Sequence, residues 1–226
     1  MIAHHLPLDM LVDYATGSLQ EGPTLVVASH IALCAQCRSQ VARFEQVGGA
    51  LLDEIQPLTL ADNAFERVLS RLEEPAAAVA RLPENGLAEL LPFPLRRYVD
   101  SSARWRYAGG GVQEIPLTLD EGGHQASLLR IPGGRSMARH RHNGLEYTLV
   151  LAGGFSDRGA HYTPGDVCLA AEPEHAPLAD AESDCICLAV IDGPIVLTGR
   201  IGRLLNPWLR HKARRAVAER LAPASS

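Results

Sequence analysis

The chain has 226 residues, with 21 Lys and Arg against 26 Asp and Glu, a formal net charge of −5, and a hydrophobic fraction of 46%. That length admits one large domain or two small ones, the composition is ordinary for a globular protein, and the acidic balance gives no general argument for nucleic-acid binding. No stretch offers about 18 uninterrupted apolar residues, and no basic segment precedes an apolar run near the start, so neither a membrane span nor a secretory signal is expected and the protein reads as cytoplasmic.

Residues 7–74 read as helical. Leu8, Leu11, Val12 and Ala15 fall at helical spacing over 7–15, and Gly17 stops that helix. Pro23 starts a second helix carrying Val26, Val27, Ile31 and Leu33. A third is expected from about 35 to 54, with Val41, Phe44, Val47, Leu51 and Leu52 as its core face and Gly48-Gly49 weakening its middle. A fourth is expected over 60–72, with Ala64, Phe65, Val68, Leu69 and Leu72. This front is acidic: residues 1–66 hold eight acidic side chains and only Arg38 and Arg43 as fixed positive charges. It therefore suits a basic partner.

The texture changes over 73–94, where Pro75, an alanine run, Pro83, Gly86, Pro92 and Pro94 read as a linker. From Val99 the pattern is β. Short apolar stretches at 125–131, 147–151, 167–169 and 186–191 are separated by turn clusters such as Gly109-Gly110-Gly111, Pro132-Gly133-Gly134 and Pro164-Gly165-Asp166. Many short strands with regular turn signals argue for a sandwich or barrel. The stretch 204–221 reads as a basic amphipathic helix. Residues 200–220 hold seven basic side chains against Glu219 alone, which suits an acidic surface.

The chemistry sits in two places. The first is His30-x3-Cys34-x2-Cys37. His30 and Cys34, four apart, share a helix face, and Cys37 follows near the next helix start. Thiolate plus imidazole suits closed, tetrahedral, structural zinc, and His5 or His4 from the first helix can supply the fourth position. A metal clip also offsets the small core of a unit of about 70 residues. The rival readings are a core histidine with two buried thiols, or a redox Cys-x-x-Cys, which lacks its βαβ setting here. Five cysteines without a secretory signal favour thiols with chemistry over a disulfide framework.

With this motif on a small acidic helical domain, residues 1–74 resemble the zinc-binding anti-sigma factors. The resemblance implies that His5, His30, Cys34 and Cys37 hold zinc, and that the domain clamps an extracytoplasmic-function sigma factor and keeps it off RNA polymerase. No direct DNA binding is expected.

The second place is Gly134-x5-His140-x-His142-x3-Glu146-x6-Gly153, which fits the first cupin motif at every fixed position. Residues two apart on a strand face one side, so His140, His142 and Glu146 can point inward together, and His175 stands where a neighbouring strand would supply a fourth ligand. Ala170-Ala171-Glu172 and Ala179 depart from the second cupin motif around that histidine. Imidazole and carboxylate suit zinc, iron, nickel or manganese in a more open site. The alternative is a metal-free barrel with surface histidines.

A zinc anti-sigma domain joined to a cupin resembles the ChrR-type anti-sigma factors over nearly the whole chain, including Trp105-Arg106, Gly144-Leu145-Glu146 and Asp184-Cys185-Ile186-Cys187-Leu188. The resemblance implies a helical domain sufficient for inhibition. It also implies a zinc-binding cupin domain, needed for release by singlet oxygen or related oxidants, and no catalysis. The expected organisation is 1–74 helical and zinc-binding, 75–95 linker, 96–205 cupin-like and metal-binding, and 206–226 a basic tail.

Cys185 and Cys187 share a strand face. They are either two small buried side chains or an oxidant sensor. Cys168 is expected in the core, His161 and His124 on the surface, and the arginines of 210–215 on a solvated helix face. The rival functions are a cupin-type metal-dependent oxygenase with a helical oligomerisation domain, and a small-molecule-binding module without catalysis. Cupin folds alone decide neither.

Overall fold

The computed structural model describes residues 1–72, 86–99, 101–120, 123–141, 144–170, 174–192 and 196–197. His142 and the expected C-terminal helix lie outside the described residues. The helical part comprises α1 (Leu8–Ala15), α2 (Glu21–Leu33), α3 (Ala35–Asp53) and α4 (Ala64–Leu72). The expected four helices are thus present, and the Gly48-Gly49 pair does not break α3. Two short turns follow, α5 (Leu87–Leu90) and α6 (Phe93–Arg96), with Leu87, Leu91 and Leu95 buried.

Among these helices α2 has no polar face. Gly22, Leu25, Val26, Val27, Ser29 and His30 are all buried and point in several directions, as expected of a helix covered all round. One side meets α1 and α3, and another meets α6 and the β-sheet. Gly22 permits the closest approach: a Cβ there would lie 2.8 Å from the Cβ of His124 and 2.9 Å from Cγ1 of Val190.

The β part contains β1 (Arg106–Gly109), β2 (Val112–Leu117), β3 (His124–Ile131), β4 (His140–Arg141), β5 (Glu146–Ala152), β6 (Phe155–Asp157), β7 (Ala160–Tyr162), β8 (Val167–Ala170), β9 (Leu178–Ala179), β10 (Cys185–Asp192) and β11 (Val196–Leu197). They form a six-stranded sheet in the order β1-β2-β3-β10-β5-β8, a three-stranded sheet β7-β6-β9 and a β4-β11 pair. The strand pairings among the described residues are antiparallel, which suits short turns such as those joining β1 to β2 and β6 to β7.

The central strands of the large sheet are buried on both faces, and their two-residue period divides the side chains between them. On β10, Leu188 and Val190 join the core shared with the helices, whereas Cys185 joins a second core with Val150, Phe155 and Cys168. On β5, Leu149 and Leu151 face the helices while Val150 faces inward. Both faces being apolar explains the nearly unbroken run Cys185-Ile-Cys-Leu-Ala-Val-Ile191. The helices therefore cover the outside of the sheet, and the inside belongs to the barrel.

One expectation about α3 is corrected. Val41 is buried and Phe44 packs against the core, but Val47, Leu51 and Leu52 are exposed. At 19 residues α3 is longer than α1 at 8 and α2 at 13. A rise of about 1.5 Å per residue carries its C-terminal half past the helices that could cover it. α4 buries none of its side chains among the described residues.

Candidate metal centres

Two clusters bring metal-ligating atoms within 4.8 Å of one another: His5, His30, Cys34 and Cys37 in the helical part, and His140, Glu146 and His175 in the barrel. Each has its own local logic.

In the first, Cys34 ends α2 and begins α3 with an extended backbone, and its Sγ accepts a hydrogen bond from the Cys37 backbone N–H at 3.4 Å. The break between the helices folds His30 on the last turn of α2 back toward Cys37 on the first turn of α3. His5 comes from the segment before α1, with Nδ1 at 3.4 Å from Cys34 Sγ and 3.6 Å from Cys37 Sγ. His4 faces away. Its ring lies 4.4 Å from that of Tyr162, and its Nε2 donates to the carbonyl of His161 at 3.1 Å.

His30 is fully buried, and its Nδ1 donates to the carbonyl of Gly165 at 2.9 Å. A carbonyl only accepts, so Nδ1 carries the proton. Nε2 is left buried with no hydrogen bond, a costly state unless a metal takes its lone pair. Burial lowers the His30 pKa and keeps the ring neutral. It pushes the Cys37 thiol up to about 11. A metal entering here must therefore displace thiol protons. Two thiols, two imidazoles and an unsatisfied buried nitrogen fit a closed four-coordinate site.

In the barrel, His140 and His175 oppose each other across an antiparallel bridge, with backbone hydrogen bonds of 3.1 and 3.0 Å in both directions. Their rings are 4.5 Å apart. Glu146 opens β5 and is buried, with Oε1 accepting from the Thr148 hydroxyl at 3.3 Å. His140 Nδ1 donates to the carbonyl of Ala138 at 2.7 Å, which leaves Nε2 as its ligand atom. His175 Nδ1 donates to Asp157 Oδ2 at 2.9 Å, and its Nε2 lies 3.2 Å from Glu146 Oε2. Burial opposes protonation of His175, but hydrogen bonds to Glu146 and Asp157 outweigh it and the pKa is raised. A proton held between imidazole and carboxylate stands where a divalent cation fits the same donors.

Asp157 was missed in the sequence. It lies on β6 outside the cupin motif, and only the inward alternation of a three-residue strand could have marked it. It buries a carboxylate against His175, completing a carboxylate–histidine pair behind the ligand set. Beside the cluster is a cavity of about 20 Å³ bounded by Glu146, Asp157, His175, Cys168 and Cys187 among others. That volume suits a single water.

All five cysteines are buried free thiols. Cys168 is in the core as expected, and Cys185 and Cys187 face inward together. A hydrogen bond with Cys185 and full burial hold the Cys187 thiol well above its ordinary range, so it is a poor nucleophile in this state. His161 is on the surface but not alone: its Nε2 meets the Asp180 carboxylate at 3.0 Å. His124 packs near the Tyr147 ring at 6.4 Å.

Residues 97–195 match the family described as the ChrR cupin-like domain. The anti-sigma-E factor ChrR of Cereibacter sphaeroides is 38% identical over 214 residues, covering 92% of this chain and 99% of that protein. The crystal structure of Rhodobacter sphaeroides SigE in complex with the anti-sigma ChrR superposes with a TM-score of 0.69 at 39% identity, over 85% of this chain and 100% of that one.

Proposed function

The chain belongs to the ChrR family of anti-sigma factors, and from that premise we propose that it binds and inhibits an extracytoplasmic-function (group IV) sigma factor. The observation that carries this reading is an apolar face with no cover among the described residues. Phe65, Val68, Leu69 and Leu72 recur at helical spacing on α4 and are exposed, Phe65 by 69% and Leu72 by 75%. Val47, Leu51 and Leu52 extend the same character along α3. A soluble protein keeps such a surface for a partner, and the relative of known structure was crystallised with its sigma factor.

In this reading residues 1–74 bind the sigma factor, 75–95 connect, 96–205 form the metal-binding barrel and 206–226 are a basic tail. Zinc is the metal that the thiolate-rich set of His5, His30, Cys34 and Cys37 prefers. It fixes the junction of α2 with α3, the helix that carries part of the docking face. The barrel holds zinc on His140, Glu146 and His175 with His142. Damage or ligand change there, by singlet oxygen or a related oxidant, releases the sigma factor. No helix among the described residues is long and apolar enough to cross a membrane, and the partner acts on RNA polymerase, so we place the protein in the cytoplasm.

The test is co-purification of the tagged full chain with co-expressed group IV sigma factors. A stable complex that Val68→Asp or Leu51→Asp weakens is expected. A folded, metal-loaded chain that leaves every such sigma factor free would overturn the reading.

A further inference from the structure

Part of what orients the helical metal cluster comes from the barrel. His30 donates to the carbonyl of Gly165, a residue of the turn between β7 and β8. The next residue, Asp166, is 1% exposed. Its Oδ1 accepts from the backbone N–H groups of Ala3 at 2.7 Å and His4 at 2.8 Å. Its Oδ2 accepts from the N–H and the hydroxyl of Thr163, both at 2.8 Å. The Val167 N–H donates to the carbonyl of His4 at 3.1 Å. Residues 3 and 4, immediately before His5, are therefore held by three hydrogen bonds onto the turn that also holds His30. Gly165 makes the approach possible. Its φ is +94°, and a Cβ there would lie 2.5 Å from Cδ1 of Ile2.

The same turn is tied to the barrel interior at both ends. Before it, Tyr162 stacks on Phe155, with centroids 4.9 Å apart, and Phe155 lines the cavity beside the barrel cluster. After it, β8 carries Cys168 into that cavity and pairs Ala170 with Glu146 on β5. Two of the four candidate ligands in the helical part thus take their orientation from a segment whose flanks border the other cluster.

The geometry points to residues 163–167 as the outer sphere of the helical metal site, with Asp166 as a positioning residue through which the barrel governs how tightly that site keeps its metal. The inference rests on the reading that His5, His30, Cys34 and Cys37 hold a metal. Outer groups of this kind fix ligand tautomer and orientation, and their loss typically costs about 10- to 100-fold in metal affinity. Asp166→Asn removes the charge and must present an amide N–H to one pair of donors, because both carboxylate oxygens accept two hydrogen bonds each. Ala3→Pro removes one of those donors from the other side and leaves the barrel sequence untouched.

The test uses the full chain loaded with cobalt(II). Thiolate-to-cobalt absorption reports the helical site alone, since the barrel set contains no thiolate. Loss of this band to excess chelator is expected to be faster by about tenfold or more in both Asp166→Asn and Ala3→Pro. Rates within about twofold of the unaltered chain in both variants would overturn the inference. A change in Asp166→Asn alone would overturn it too, by assigning the effect to the barrel. A parent chain that develops no thiolate–cobalt band would instead remove the metal reading itself, and the inference with it.

Discussion

The two clusters differ in where their ligands and their supports come from. The helical cluster draws four candidate ligands from residues 5 to 37, but part of its support, the carbonyl of Gly165 and the carboxylate of Asp166, comes from the turn of the barrel between β7 and β8. The barrel cluster draws its described ligands from β4, β5 and an isolated bridge at His175, and its supports, Ala138 and Asp157, are its own. It also borders a cavity with room for a water. A site closed in its ligands but supported from elsewhere suits a structural metal under remote control. A site with its own supports and a void beside it suits the place where a small reactive species arrives.

The sharpest way to break this contrast is to remove one ligand from each cluster. Cys37→Ser is expected to empty the helical site, loosen α1–α3 and abolish sigma-factor binding. Structural zinc supplies on the order of 10 kcal/mol in small metal-folded domains, comparable to the whole margin of about 5–15 kcal/mol of a typical domain. Metal analysis and co-purification read both effects. His140→Ala is expected to leave inhibition intact and blunt release. Normal release by singlet oxygen in His140→Ala cells would take the sensing role away from the barrel metal.

Smaller effects sharpen the contrast. Val68→Asp on α4 is expected to weaken the sigma-factor complex by about 2–4 kcal/mol, roughly 30- to 700-fold, with the metal content of both sites unchanged. Calorimetric titration reads the first and metal analysis the second. Asp157→Asn replaces the charged acceptor of His175 Nδ1 with a neutral one. It is expected to reduce barrel metal affinity about 10- to 100-fold while the helical site keeps its metal. Chelator competition on the purified chain checks it, and an unchanged affinity would show that Asp157 does not support the ligand set.

The contrast also explains what could be read from the sequence. His30, Cys34 and Cys37 lie within one helix–helix junction, so spacing alone brought them together. The sequence left His5 and His4 open as the fourth ligand and the resemblance chose His5; the fold separates them by turning the one toward the thiols and the other onto Tyr162. His140 and Glu146 followed from the cupin spacing, although the structure sets them on β4 and β5 rather than on the one regular strand that alternation assumed. Asp157 and Asp166 did not, because each acts across a tertiary contact that no local pattern encodes. The exposed faces of α3 and α4 were legible as apolar, and that of α3 was read as core. Periodicity marks an apolar stripe and does not say whether the chain itself or another molecule will cover it.

The smallest expected effect concerns Asp166 and proton concentration. Burial alone would raise its pKa, but hydrogen bonds from the backbone of His4, Thr163 and Ala3 and from the Thr163 hydroxyl outweigh this, and the pKa is lowered. A carboxyl depressed on folding contributes stability above its unfolded value, and that contribution is lost as pH falls through the folded one. At neutral pH the contribution is complete. Acidification into and below the usual carboxylate range should then weaken the attachment of residues 3 and 4 to the turn. Protons also compete for the metal ligands over part of this range, so the carboxylate is isolated by difference. Thermal unfolding of the metal-loaded chain, followed from pH 7 downward, should show a falling midpoint, and Asp166→Asn should show a shallower fall from a lower start. Parallel curves for the two chains would mean that the Asp166 charge contributes nothing to the junction and that the turn holds the helical part through Gly165 and Val167 alone.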